Sequence, residues 1–191
     1  IFATFGLAVF LRSAAQALWG ADFHVVKNPL VQGRLALGGV FVGVPQLVAS
    51  AGALLAFGLL YWFITRTETG LALQATAQDR QAASLMGIDT QRMFALGWAL
   101  GGACVGVAGG LLASFFYVFP EVGGPFALLA YVAVALGGFG NVPATLAGGV
   151  VVGLVEVLGG LLIDPSLKLI GVFALYLLVV LWRPQGLFGR F

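Results

Sequence analysis

The side chains able to do chemistry are few and lie far apart. Within 191 residues there is one histidine, His24, and one cysteine, Cys104. A lone histidine cannot build a metal site, and a lone cysteine offers neither an internal disulfide nor a C-x-x-C pattern. The seven acids are isolated, so the paired carboxylates or Cys–His arrangement that an enzyme would need is missing. No G-x-x-x-x-G-K-[ST] loop is present to cradle a nucleotide. His24 reads as a loop residue and Cys104 as a small buried apolar group. Glu156 stands out as an acid inside a long apolar stretch, where an ionisable group is costly enough to suggest function. It either lines a translocation path or forms a buried structural ion pair, and the pair is the preferred reading. Arg12 is its expected partner. Each lies seven residues from the outer end of its own segment, Trp19 or Ile163, roughly 10 Å at the helical rise. Snorkelling of Arg12 to the interface is the competing arrangement. Asn141, in a glycine-rich break, bonds either freed backbone groups or a substrate, with the structural role ranked first.

The elements that position these residues follow from composition. The chain is 61% hydrophobic and 8% charged, against roughly 25% charged in an average soluble domain. Charge is absent over Leu35–Thr65, Met93–Pro120 and Val122–Val155. Runs of about 18 or more apolar residues read as transmembrane helices. Soluble enzymes and nucleic-acid binders are thereby excluded. The expected fold is all-α, a single polytopic helix bundle over 1–191. About five spans are expected, at Ile1–Trp19, Pro45–Ile64, Phe94–Val118, Ala144–Ile163 and Leu169–Trp182. A helix at Phe126–Leu136 is too short to cross, and Gly137–Asn141 breaks it. Leu35–Val44, interrupted by glycines, is expected to be extended or re-entrant. The polar stretches Ala21–Arg34 and Asp164–Lys168 are expected to be a loop and a short turn. Because Ile1 opens inside an apolar run without an initiator methionine, N-terminal helices are expected to be missing.

If Thr65–Arg92 is cytoplasmic, that side carries Arg66, Arg80, Arg92, Arg183 and Arg190 against Lys27, Arg34 and Lys168. The positive-inside rule then places the C-terminus in the cytoplasm. Gly102, Gly106 and Gly110, at four-residue steps, make a smooth groove for close helix packing, as do Gly149 and Gly153. Static packing is the plainer reading of that groove and a sliding transporter interface the sharper one. Thr69–Arg92 is rich in Ala, Leu and Gln, which favour helix. Asp79 is expected to cap a second short helix that Gly87 ends. The clustered small residues suit docking into a partner's groove better than they suit a solvated loop.

This stretch carries a resemblance. Thr67, Gly70, Ala72, Leu73, Ala75, Ala77, Asp79, Ala82, Ala83, Gly87 and Ile88 follow T-x-x-G-x-A-L-R-A-x-A-x-D/N and then A-A-x-x-x-G-I. Val134–Glu156 supplies a Gly-Gly-x-Gly break and a glycine-rich helix ending in Glu, and Arg183–Gly189 a closing R-P-Q-G-L-F-G. These motifs resemble the branched-chain amino acid permeases of bacterial ABC importers across essentially the whole chain. Gln81 departs from the Glu of the wider E-A-A-x-x-x-G pattern, and Gln74 from the arginine usual at its position. The resemblance implies an inner-membrane permease subunit without enzymatic chemistry or a cofactor of its own, ATP being bound by partners. It implies a second permease subunit, two ABC ATPase subunits and a periplasmic substrate-binding protein. Asp79, Arg80, Gln81, Ala82, Ala83 and Gly87, within a coupling loop over 65–92, would contact the ATPase. Urea, short amides or other amino acids are admitted as substrates too. A secondary transporter or channel is the rival class, which the broken helix and Glu156 would also suit.

Overall fold

The computed structural model describes residues 2–26, 33–37, 40–162, 168–183 and 185–187. The expected turn at Asp164–Lys168, apart from Lys168, and parts of the Ala21–Arg34 loop and the closing motif lie outside them. The described chain holds eight helices and one β-hairpin. Four helices are long and apolar enough to cross a membrane, and the chain forms two compact units.

The first unit combines residues 1–18 with 120–191. Its elements are α1 (Phe2–Trp19), α6 (Gly123–Gly137), α7 (Val142–Leu162) and α8 (Lys168–Trp182). Helices α6 and α8 have 15 residues each, about 22 Å at the helical rise, which is short of a roughly 30 Å hydrocarbon core. Helix α8 coincides with the last expected segment, Leu169–Trp182, to within one residue. Asn141 starts α7: its side-chain oxygen accepts from the Ala144 N–H at 3.2 Å, and its carbonyl accepts from Thr145. Pro143 falls in the first turn, where its missing N–H is not needed. The core is Val132, Leu136, Val152, Val172 and Val179, with Leu136 and Val172 fully buried.

Two glycines decide how closely α6 and α7 approach. A Cβ on Gly148 would run into the carbonyl oxygen of Ala133, and one on Gly137 would stand 2.5 Å from that of Ala144. The closing segment docks on the same place. The Leu187 N–H donates to the Leu136 carbonyl at 2.7 Å, and Gly186, at φ +88°, leaves no room for a Cβ beside Ala135 and Gly138. The glycine-rich break and the closing motif, some fifty residues apart in sequence, are thus one structural feature.

The second unit, residues 19–119, comprises β1 (Arg34–Leu37), β2 (Val40–Gly43), α2 (Val44–Arg66), α3 (Glu68–Gln78), α4 (Arg80–Leu85) and α5 (Thr90–Leu112). The extended segment before Pro45 is an antiparallel hairpin, with Arg34 opposite Gly43. Helix α5 starts four residues earlier and ends six earlier than expected. Asp89 caps its start through the N–H groups of Gln91 and Arg92. Beyond Leu112 the backbone of Val118 instead exchanges two hydrogen bonds of 2.9 Å with His24. Phe23 packs edge-on against Tyr117 and Phe119 over this bridge.

At the corner of α2 and α3, Thr67 does two jobs. Its hydroxyl donates to the Phe63 carbonyl at 2.7 Å and accepts from the Gly70 N–H at 3.0 Å. Gln74 donates to the Ile64 carbonyl at 2.7 Å, so the residue that departs from the family pattern satisfies an end group of α2. Gly70 lies so close to the Phe63 and Ile64 carbonyls that a Cβ cannot fit.

Two contrasts test these approaches. Gly148→Ala is expected to destabilise the protein by about 1–3 kcal/mol through overpacking. Gly149→Ala, whose Cβ meets nothing within 4 Å, should be neutral or up to about 1 kcal/mol stabilising through helix propensity. Thermal midpoints in detergent separate the two. Likewise Gly70→Ala should lower the midpoint, whereas Gly101→Ala, also facing open space, should not.

Candidate functional site

Helix α4 has only six residues, too few to persist alone, and both its ends are fixed by side-chain or glycine chemistry. The Asp79 carboxylate accepts from the N–H groups of Gln81 and Ala82 at 2.8 and 3.0 Å. At the other end Gly87 takes φ +83°, a conformation that suits glycine. Its N–H donates to the Ser84 carbonyl and that of Ile88 to Ala83, each at 3.1 Å. This is the paired closure of a Schellman motif. Asp79 and Gly87 therefore make the helix, which is what their spacing led one to expect of them.

The other residues singled out from the sequence divide by face. Ala83 is buried, turned inward from any partner. Arg80 places its guanidinium 5.3 Å from the centre of the Phe94 ring on α5, a cation–π distance. Gln81 and Ala82 are exposed. Beside them stand Leu85, 88% exposed, and Met86, 82% exposed. These two large apolar side chains were not singled out as contacts, although 82, 85 and 86 fall on one helical face. That spacing was the available signal.

Among the described residues, none fills the glycine groove of α5. No described atom lies within 4 Å of a Cβ built at Gly102, Gly106 or Gly110, nor at Gly149 or Gly153 on α7. Close packing occurs instead at Gly70, Gly137, Gly148 and Gly186. Gly101 and Gly102 border a cavity of about 760 Å³ together with Leu73, Thr76 and Trp98.

The expected pairing of Arg12 is corrected. Its ion-pair partner is Glu121, at 3.6 Å, and not Glu156. Opposite charge and equal depth were the arguments for Glu156. Glu121 stands just ahead of α6, in a turn at 120–122 that falls within the segment Pro120–Pro125 expected to turn. Glu156 is half-buried on α7, one turn beyond the buried Val152. Asn141 has a capping role at the break. Cys104, expected to be buried, is exposed. Among the described residues no three His, Cys, Asp or Glu side chains gather as a metal site would require.

Comparison with known proteins fits this architecture to a family. The profile described as "Branched-chain amino acid transport system / permease component" matches residues 1–182. The chain is 32% identical over 196 residues to the high-affinity branched-chain amino acid transport system permease protein LivH of Escherichia coli K12, covering all of this chain and 63% of that protein. It is 29% identical over 195 residues to the corresponding permease protein BraD of Pseudomonas aeruginosa, covering all of this chain and 64% of that one. The ribose import permease protein RbsC of Bacillus subtilis is 30% identical over 149 residues, covering 74% of this chain and 43% of its own length. The chain thus spans just under two thirds of the length of the first two relatives. No solved structure matches it significantly. With its apolar spans and its match over nearly the whole chain, this multi-pass membrane protein belongs to the branched-chain amino acid permease family.

Proposed function

We propose that the chain is a membrane-spanning permease subunit of an ATP-driven ABC importer that carries branched-chain amino acids across the bacterial inner membrane. Its C-terminus and the α3–α4 connection face the cytoplasm. ATP is hydrolysed by two separate ABC ATPase subunits. A second permease subunit and a periplasmic binding protein complete the assembly. The observation that carries this reading is α4, a six-residue helix fixed at both ends between the spans α2 and α5, presenting Leu85 and Met86 outward. Two exposed apolar side chains on a polar connection suit an apolar recess on a soluble partner. In this arrangement Asp79 and Gly87 shape the helix, Arg80 holds it to α5, and Gln81, Ala82, Leu85 and Met86 meet the ATPase.

A second reading concerns the substrate alone. The likeness to a ribose import permease admits a sugar cargo for the same architecture. Uptake of labelled leucine and of labelled ribose by membranes carrying the assembled transporter decides between them. We expect leucine to enter in an ATP-dependent manner and ribose not to.

The coupling assignment makes its own prediction. Leu85→Ser with Met86→Ser should leave membrane insertion intact, because both side chains already face outward. Uptake should fall at least tenfold, and co-purification with the ATPase subunits should weaken. Unchanged uptake and co-purification in that variant would refute the docking face.

A further inference from the structure

The ion pair between Arg12 and Glu121 is loose. Its nitrogen–oxygen separation of 3.6 Å is too long for a hydrogen bond, and the two side chains are 51% and 69% exposed. The guanidinium donors and the carboxylate acceptors are therefore accessible to a third group.

Its depth makes this looseness informative. Arg12 lies seven residues before the end of α1 at Trp19, roughly 10 Å along the helix. Glu121 belongs to the turn ahead of α6, where its carbonyl accepts from the Gly124 N–H at 3.1 Å. Because the 15 residues of α6 fall short of a roughly 30 Å hydrocarbon core, this turn fits within the membrane thickness, level with Arg12. Half-exposed charges and non-helical backbone at such depth are tolerated against protein or a water-filled cavity, and not against lipid.

We propose that the Arg12–Glu121 pair faces the translocation path and binds the zwitterionic head group of an α-amino acid in transit. The guanidinium takes the α-carboxylate, as its planar fork suits. The Glu121 carboxylate takes the α-ammonium. A zwitterion carries both charges on one carbon, so a single opened pair can meet both. When the substrate leaves, the two side chains close on each other and neither charge is stranded. A sugar offers no charge to open the pair. This assignment rests on the amino-acid reading given above.

The test uses the complete transporter, with its ATPase and binding-protein subunits, in proteoliposomes. Leucine taken up per ATP hydrolysed is measured for the wild type, Arg12→Met, Glu121→Gln and the double variant. Each single variant should lose at least fivefold in uptake, with ATP hydrolysis and assembly preserved. The double variant should be no better than the worse single one. A purely structural pair behaves differently, since removing both partners together is close to neutral. Leucine transport by the double variant at the wild-type level would overturn the assignment while leaving the amino-acid reading intact. A wild-type assembly that moves no leucine or other amino acid would overturn that reading, and this assignment with it.

Discussion

A peptide group at membrane depth has no water to bond, so a chain that interrupts a helix there must supply partners from within itself. The break after α6 shows how demanding this is. The Leu136 carbonyl is met by the Leu187 N–H, and the first turn of α7 is met by the Asn141 side chain. Those bonds can form only if three backbone segments come nearly into contact. Glycine at 137, 148 and 186 permits that contact. The burial of Leu136 and Val172 then follows from the short distance between the helices.

The same constraint shapes the corner between α2 and α3. The last carbonyls of α2 are taken up by Thr67 and Gln74, residues of the connection itself. The corner is therefore folded by short-range bonds. Its companion α4 gains its definition from two caps and from the Arg80–Phe94 contact. Of its small residues Ala83 is buried, while Gln81, Ala82, Leu85 and Met86 are left exposed.

Local chemistry was the legible part of the sequence. Asp79 as an N-cap and Gly87 as a C-terminal stop need only a few neighbouring residues to act, and the structure places both as expected. The helical spans were legible for a similar reason, as apolar length is a property of each segment alone. Tertiary choices were less so. Glycine spacing marks where backbones can approach, but it does not name the neighbour. Gly148 and Gly137 were brought together, while Gly102, Gly106 and Gly110 meet no described atom of the chain. The partner of Arg12 depended on which helix the turn before α6 packs against, which no periodicity encodes. The end of α5 was misjudged because the apolar run continues past it, and a pair of backbone bonds to His24 claims Val118, the residue at which the helix was expected to end.

The doubly bonded hydroxyl of Thr67 has a mechanical corollary. A joint held by one side chain that grips the turn on each side of it has little compliance, so any rotation would carry α2 and α3 together as a bent lever. The long arm is the 23 residues of α2, about 34 Å, and the short arm is the 11 residues of α3, about 16 Å. A displacement of about 2 Å at the end of the short arm swings the far end of α2 through roughly twice that distance. A movement of the end of α3 beside α4 would therefore be enlarged at the far end of α2 by leverage alone.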